Sequence, residues 1–258
     1  MRKSDKSALL HWIDVPAAFG LLTRIPLRLN TAKVTARGGS SAWAFPIVGV
    51  FIGLVAAAVT AAVHWIGLPP AVAAIFAVLV PVIITGAMHE DGLADTADGF
   101  WGGWDKERRL EIMKDSHIGT YGTLAIGLSL LLRGVLITAL VSDEEYMQGL
   151  ILAAMMSRAS MAGLLTFLPN ARGVGLSSSY GRPSNSVSLL AMIICICTAL
   201  IIIPSHAVSI TLVALISTIL CGLYAKSKIG GQTGDVLGAT QQVTEIAVLF
   251  TLLAEVGF

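Results

Sequence analysis

The sequence predicts an all-α integral membrane protein, a polytopic helical bundle of about seven transmembrane helices with its active site on the cytoplasmic face. Three observations carry this expectation. Of 258 residues, 55% are hydrophobic and only 13% are charged, against roughly 25% charged in soluble domains. The mean hydropathy is +0.79, too high for a soluble globule of this size. Apolar runs close to the about 20 residues that a bilayer core requires recur along the chain.

Those runs are 43–64, 71–88, 121–141, 149–168, 187–203, 209–225 and 243–257. The second, fifth and last are short, and six spans with a re-entrant last segment is the alternative count. Ahead of them the chain opens basic, with Arg2, Lys3 and Lys6, and then turns apolar. Asp14, Pro16 and Arg24 interrupt that run and no small-residue cleavage site closes it, which argues against a signal peptide. Residues 8–22 read instead as an amphipathic helix lying at the membrane surface, anchored by Trp12, within a cytoplasmic segment 1–40.

Loop charges orient the spans. Arg and Lys fall before the first span, in 89–120, in 169–186 and in 226–242, whereas 65–70, 142–148 and 204–208 hold none. With seven spans every basic loop lies on one face, and the positive-inside rule places the N-terminus in the cytoplasm. A multi-pass membrane protein follows. No repeat or linker divides the chain, so 1–258 reads as one membrane domain. The net charge of +1 gives no bias toward nucleic acid. Cys195, Cys197 and Cys221 sit in apolar runs without ligand spacing and read as buried thiols.

The acidic stretch "HEDGLADTADGF" at 89–100 follows directly on an apolar run. Asp91, Asp95 and Asp98 share one helix face, being i, i+4 and i+7, and Glu90 adjoins them. Stacked carboxylates repel one another unless a cation sits among them. Oxygen ligands without Cys or paired His favour Mg²⁺, Mn²⁺ or Ca²⁺ over zinc. Ionisable groups at the end of a span are costly and tend to be functional, so 89–120 reads as an acidic catalytic loop.

Two further motifs share that face. In "EIMKDSHIGTYG" (111–122), Glu111 and Asp115 are again i, i+4, and Lys114, Ser116 and His117 offer donors to phosphate oxygens. Gly119 and Gly122 flank a helix start, where free N–H groups favour anions. "GGQTGDVLGA" (230–239), in the Gly-rich loop 226–242, lacks the Lys of a P-loop and reads as a tight polar turn lining a site. Its Gly231, Gln232, Thr233, Gly234 and Asp235 are candidates for substrate contact. Arg133 and Arg158 lie within spans, where an Arg normally faces a polar cavity or an ion-pair partner. Ser157-Arg158 has equal claim to a phosphate and to a structural ion pair. The chemistry that suits this set is metal-dependent phosphoryl transfer.

These residues also resemble the adenosylcobinamide-GDP ribazoletransferase (cobalamin synthase) family. The resemblance rests on "LLTRIPL" (21–27), "AFPIVGV" (44–50), "HEDGLADTADGF", "EIMKDSHIGTYG", "SR" at 157–158 and "GGQTGDVLGA", in that order. It implies that a hydroxyl of α-ribazole or its 5′-phosphate attacks the cobinamide-proximal phosphorus of adenosylcobinamide-GDP, with release of GMP. It implies Mg²⁺ as cofactor and a place in the bacterial inner membrane. Asp91, Asp95 and Asp98, with Glu90, are then the expected Mg²⁺ ligands. Asp115 and Asp235 are second choices for ligand or base. Lys114, His117, Arg158 and Arg172 are placed to stabilise the leaving GMP. A homo-oligomer and contacts with other enzymes of the pathway are further expectations. Two alternatives stand beside this reading. The acidic pattern is similar to a CDP-alcohol phosphotransferase signature, but Asp95 stands where that signature has Arg. A cation-coupled transporter is disfavoured because the charges gather at one face and no inverted repeat is visible.

Overall fold

The computed structural model describes residues 9–173 and 175–256. Among these the chain is helical and forms no strand. The elements are α1 (Asp14–Leu22), α2 (Thr31–Arg37), a 3₁₀ segment Gly38–Ala44, α3 (Phe45–Trp65), α4 (Pro70–Thr85), α5 (Met88–Gly102), α6 (Lys106–Ile112), α7 (Thr120–Ser142), α8 (Tyr146–Phe167), α9 (Leu176–Tyr180), α10 (Asn185–Ile202), α11 (Ala207–Ile229) and α12 (Gly234–Val256). Among the described residues six helices are long and apolar enough to cross a membrane, or seven if the pair α4 and α5 counts as one broken span. The protein is therefore an all-α polytopic bundle.

The break falls in the second span and not in the last. α4 and α5 meet at 89° because two consecutive residues, Gly86 (φ 67°) and Ala87 (φ 59°), adopt left-handed backbone that no α-helix can pass through. The carbonyl of Ile84 freed by the break accepts the N–H of Arg24 at 2.7 Å, and the Arg24 side chain packs over Gly86. The N-terminal segment thus closes the gap opened by the bend.

That segment is itself clamped. Asp14 at the start of α1 is fully buried and ion-paired with Arg37 at the end of α2, at 2.7 Å. Trp43 Nε1–H donates to the same carboxylate at 2.8 Å. Pairing removes the cost of burying the charge. Trp12 remains 71% exposed, as an interfacial anchor would be. The amphipathic helix expected over 8–22 begins at Asp14.

α8 lies at the centre, packed by α3, α12, α10 and α11. α3 approaches it closely through Gly49 and Gly53: a Cβ at Gly53 would lie 2.6 Å from the Ile151 Cα, and one at Gly49 2.6 Å from that of Met155. Small residues four apart allow such backbone contact between membrane helices, and here they do so within one chain. α10 and α11 bury little of their length and present Ile201, Val208 and Leu220 outward, as a lipid-facing surface does.

The last helix begins at Gly234, well before the apolar run at 243. Its first half carries Thr240, Gln241, Gln242, Thr244 and Glu245, all buried, so the apolar run does not mark where the span begins. The segment 226–242 is correspondingly helical except for the turn between Ile229 and Gly234, and 89–120 consists mainly of α5 and α6.

Candidate active site

α5 carries the acidic face and is held from two sides. At its far end Asp98 accepts the backbone N–H groups of Gly119 at 2.7 Å and Gly122 at 2.9 Å. It thereby occupies the free N–H groups at the start of α7, where a helix favours negative charge. At its near end Glu90 meets Arg133 of α7 at 3.1 Å and Gln242 of α12 at 3.1 Å. Arg133 also reaches Glu245 of α12 at 3.4 Å, and Arg158 of α8 reaches Glu245 at 3.5 Å. Ser129 donates to Gln242 at 2.9 Å, and Gln241 donates to Ser157 at 3.1 Å. Two arginines and two glutamates neutralise one another inside the bundle and tie α5, α7, α8 and α12 together.

Between these anchors, Asp91 and Asp95 face the start of α12. Gly92 makes the approach possible: a Cβ there would lie 2.7 Å from the carbonyl oxygen of Asp235. Asp95 is half-buried and lies within electrostatic reach of Asp235, Asp91, Asp98 and Arg172. Arg172 forms an ion pair with Asp235 at 2.9 Å. Thr233 caps α12 by accepting the Val236 N–H at 3.3 Å, and its hydroxyl reaches Asp235 at 3.2 Å.

The turn that delivers Asp235 is fixed by backbone pairing with 169–171. The Gln232 N–H donates to the Pro169 carbonyl at 2.8 Å, and the Ala171 N–H donates to the Gln232 carbonyl at 2.9 Å. Gly231 is required there, since a Cβ would meet the Pro169 carbonyl. Arg172 and Asp235 come from separate segments of the sequence and are brought together by this pairing.

Asp91, Asp235, Arg172 and His89 line one cavity of ≈ 180 Å³, whose other walls include Phe45, Met161, Leu165, Tyr180 and Leu237. Thr233 and Gly234 also border it, whereas Glu90, Asp98, Asp115 and Arg158 do not. Arg158 belongs to the buried ion-pair network. Lys114, Asp115, Ser116 and His117 are exposed on the turn between α6 and α7. There His117 Nδ1 and Asp115 Oδ1 are 2.6 Å apart. This hydrogen bond lowers the Asp115 pKa and raises that of His117.

Sequence reasoning missed Glu245, Gln241, Gln242 and His89. The signal for Glu245 was present: a carboxylate inside an apolar run, in a chain with two intramembrane arginines to pair. His89 carried none, because its place on the cavity wall follows from the bend at 86–87.

Among the described residues no three His, Cys, Asp or Glu side chains converge as a ready-made metal cage. Mg²⁺ seldom uses one, since it keeps several waters and binds through one or two carboxylates plus substrate phosphates. Asp91 and Asp95, with Asp235 beside them, supply such hard oxygens without competing thiols or imidazole pairs. The donor set fits the ion.

Comparison with known proteins agrees with this picture. The family model described as cobalamin-5-phosphate synthase matches residues 14–253. The chain is 45% identical to the adenosylcobinamide-GDP ribazoletransferase of Azorhizobium caulinodans, over 93% of this chain and 95% of the relative. It is 42% identical to that of Xanthobacter autotrophicus, over 93% and 95%, and 38% identical to that of Mesorhizobium japonicum, over 92% and 91%. No solved structure matches it. The matched region takes in α1, the acidic face of α5, the Arg172–Asp235 pair and the buried network alike, and the chain belongs to the cobalamin-5-phosphate synthase family.

Proposed function

We propose that this chain is an adenosylcobinamide-GDP ribazoletransferase of the bacterial inner membrane, with its N-terminus and active site in the cytoplasm. The observation that carries the reading is the meeting of Asp91, Asp235 and Arg172 at one cavity, with Asp95 within electrostatic reach of all three, in a chain whose relatives bear that name over nearly their whole length. Three of the basic segments are in contact with one another, Arg109 with the Lys228 carbonyl at 2.9 Å and Arg172 with Asp235 at 2.9 Å, which supports a shared face and the orientation.

A ribazole hydroxyl oxygen bonds to the cobinamide-proximal phosphorus of the donor. The bond from that phosphorus to the bridging oxygen breaks, and GMP leaves with the bridging oxygen. The hydroxyl proton passes to a carboxylate. Asp235 is suited to receive it, because Arg172 orients one of its oxygens and Thr233 supports the other side of the turn. A base must stand within about 3 Å of the proton it takes. Asp91 and Asp95 would hold Mg²⁺, which neutralises the phosphates and favours departure of GMP. Arg172 offers further positive charge to the phosphates. Lys114, Ser116 and His117 face solvent beside the N-terminus of α7, open to the outer part of a large donor. Glu90, Arg158 and Asp98 act at one remove, by holding α5 and α12 in register.

Donor choice tests the reading. Purified protein in liposomes is given adenosylcobinamide-GDP or a CDP-alcohol, each with α-ribazole and Mg²⁺. Turnover of the first alone is expected. Turnover of the CDP-alcohol alone would overturn the proposal, as would solute uptake without turnover of either.

A further inference from the structure

We propose that the cavity beside Asp91 and Asp235 is the acceptor subsite, and that it takes the aromatic bicyclic base of the ribazole nucleoside. The inference rests on the proposed function and assigns one of its two substrates to a place.

Size decides first. The cavity measures ≈ 180 Å³, below the about 300–1,000 Å³ of pockets that enclose a drug-sized ligand. A corrinoid macrocycle is far larger and cannot enter. An aromatic bicycle is of the right scale. Two bicycles are on offer: the base of the acceptor and the guanine of the donor.

Wall chemistry decides between them. Leu22, Phe45, Met161, Leu165 and Leu237 present apolar side chains with no hydrogen-bonding N–H or oxygen. Phe45 and Tyr180 stand 5.8 Å apart with rings inclined at 31°, giving the wall an aromatic face. The Tyr180 hydroxyl is already engaged by Ser41 Oγ at 2.7 Å. Guanine carries donors and acceptors on most of its edge, and most of them would lose water here without gaining a partner. A benzimidazole-type base has an apolar benzo edge and one ring nitrogen left free of the sugar. His89 also borders the cavity, is 1% exposed, and its Nε2 has no hydrogen-bond partner within the chain. A buried nitrogen without a partner is costly, which makes His89 a polar residue of this wall with hydrogen-bonding capacity to spare.

The polar boundary then falls where the chemistry requires it. Asp91, Arg172 and Asp235 border the same cavity. A base seated among the apolar walls would leave its ribose beside these three residues, with a hydroxyl available to the carboxylates. The guanine of the donor would lie outside the cavity.

Calorimetry on the protein in nanodiscs, without donor, tests this. α-Ribazole and GMP are titrated separately into wild type and into Met161→Trp, which fills the cavity; Leu237→Phe, from another wall, serves if the first variant does not insert. The α-ribazole Kd is expected to rise at least about tenfold and the GMP Kd to stay within about twofold. In turnover, KM for α-ribazole is expected to rise and KM for the donor to hold. A raised GMP Kd with α-ribazole unaffected would make the cavity the nucleotide subsite and overturn the inference, and so would unchanged affinity for both. A wild type that releases no GMP from the donor would remove the proposed function itself; active wild type with an unmoved ribazole KM would remove only the inference.

Discussion

Arg133 lies 3.1 Å from Glu90, and Glu90 is the residue before Asp91. A cation on α7 thus fixes the start of the helix that presents the acidic face. Both side chains are almost wholly buried, at 1% and 9% exposure. Arg133→Gln would leave Glu90 without its cation, at a cost of about 3–5 kcal/mol. The variant is expected to unfold in detergent at clearly lower denaturant than wild type, and to lose turnover with the lost register of α5.

Asp91→Asn and Asp95→Asn are expected to behave differently. Neither carboxylate anchors a helix end as Asp98 does, so membrane insertion and thermal midpoint stay close to wild type. Turnover should fall by about 10²–10⁴-fold, the scale of a lost catalytic group. Steady-state GMP release together with circular dichroism melting separates the two effects.

Gly92→Ala tests the closeness of α5 and α12. The added methyl would lie 2.7 Å from the Asp235 carbonyl oxygen and 3.0 Å from its Cα, so the helices must part. Overpacking of this kind costs about 1–3 kcal/mol and would move Asp91 away from Asp235. Gly127→Ala is the matched control, since nothing lies within 4 Å of its Cβ position. That change should stabilise α7 slightly and leave turnover alone, whereas Gly92→Ala should lower turnover sharply.

Asp115 and His117 give a pH marker on the exposed turn. Their hydrogen bond raises the imidazole above its ordinary value of 6.5 and lowers the carboxylate. A group whose pKa is raised by a partner keeps its proton as pH rises through its ordinary value, and the ion pair is lost only above that point. Titration of His117 by nuclear magnetic resonance is expected to show a raised midpoint, returning to the ordinary range in Asp115→Asn.

The spans and the acidic face were legible because composition and periodicity report burial directly. Asp91, Asp95, Asp235 and Arg172 were all recognisable as chemistry-bearing residues, but not their meeting, which depends on the backbone pairing of 169–171 with 232. Asp98 and Glu90 looked equivalent to Asp91 in sequence. Structure separates them: one binds the N-terminus of α7 and the other pairs with Arg133. The bend at Gly86 and Ala87 was not legible, since Ala is no usual partner to left-handed backbone and Arg24, which supports the break, lies far back in the chain. The early start of α12 was hidden for the same kind of reason. Its polar residues pair inside the bundle, so the half-helix ahead of the apolar run is stable there.

The most direct test of the central claim is GMP release by purified wild type, Asp91→Asn and Asp235→Asn in liposomes, with adenosylcobinamide-GDP, α-ribazole and Mg²⁺, and with EDTA as control. The expected result is EDTA-sensitive release by wild type, matched mole for mole by a new cobamide, and loss of both in each variant while the proteins remain inserted and folded. Near-normal release by either variant, or release by wild type that EDTA leaves untouched, would contradict the account.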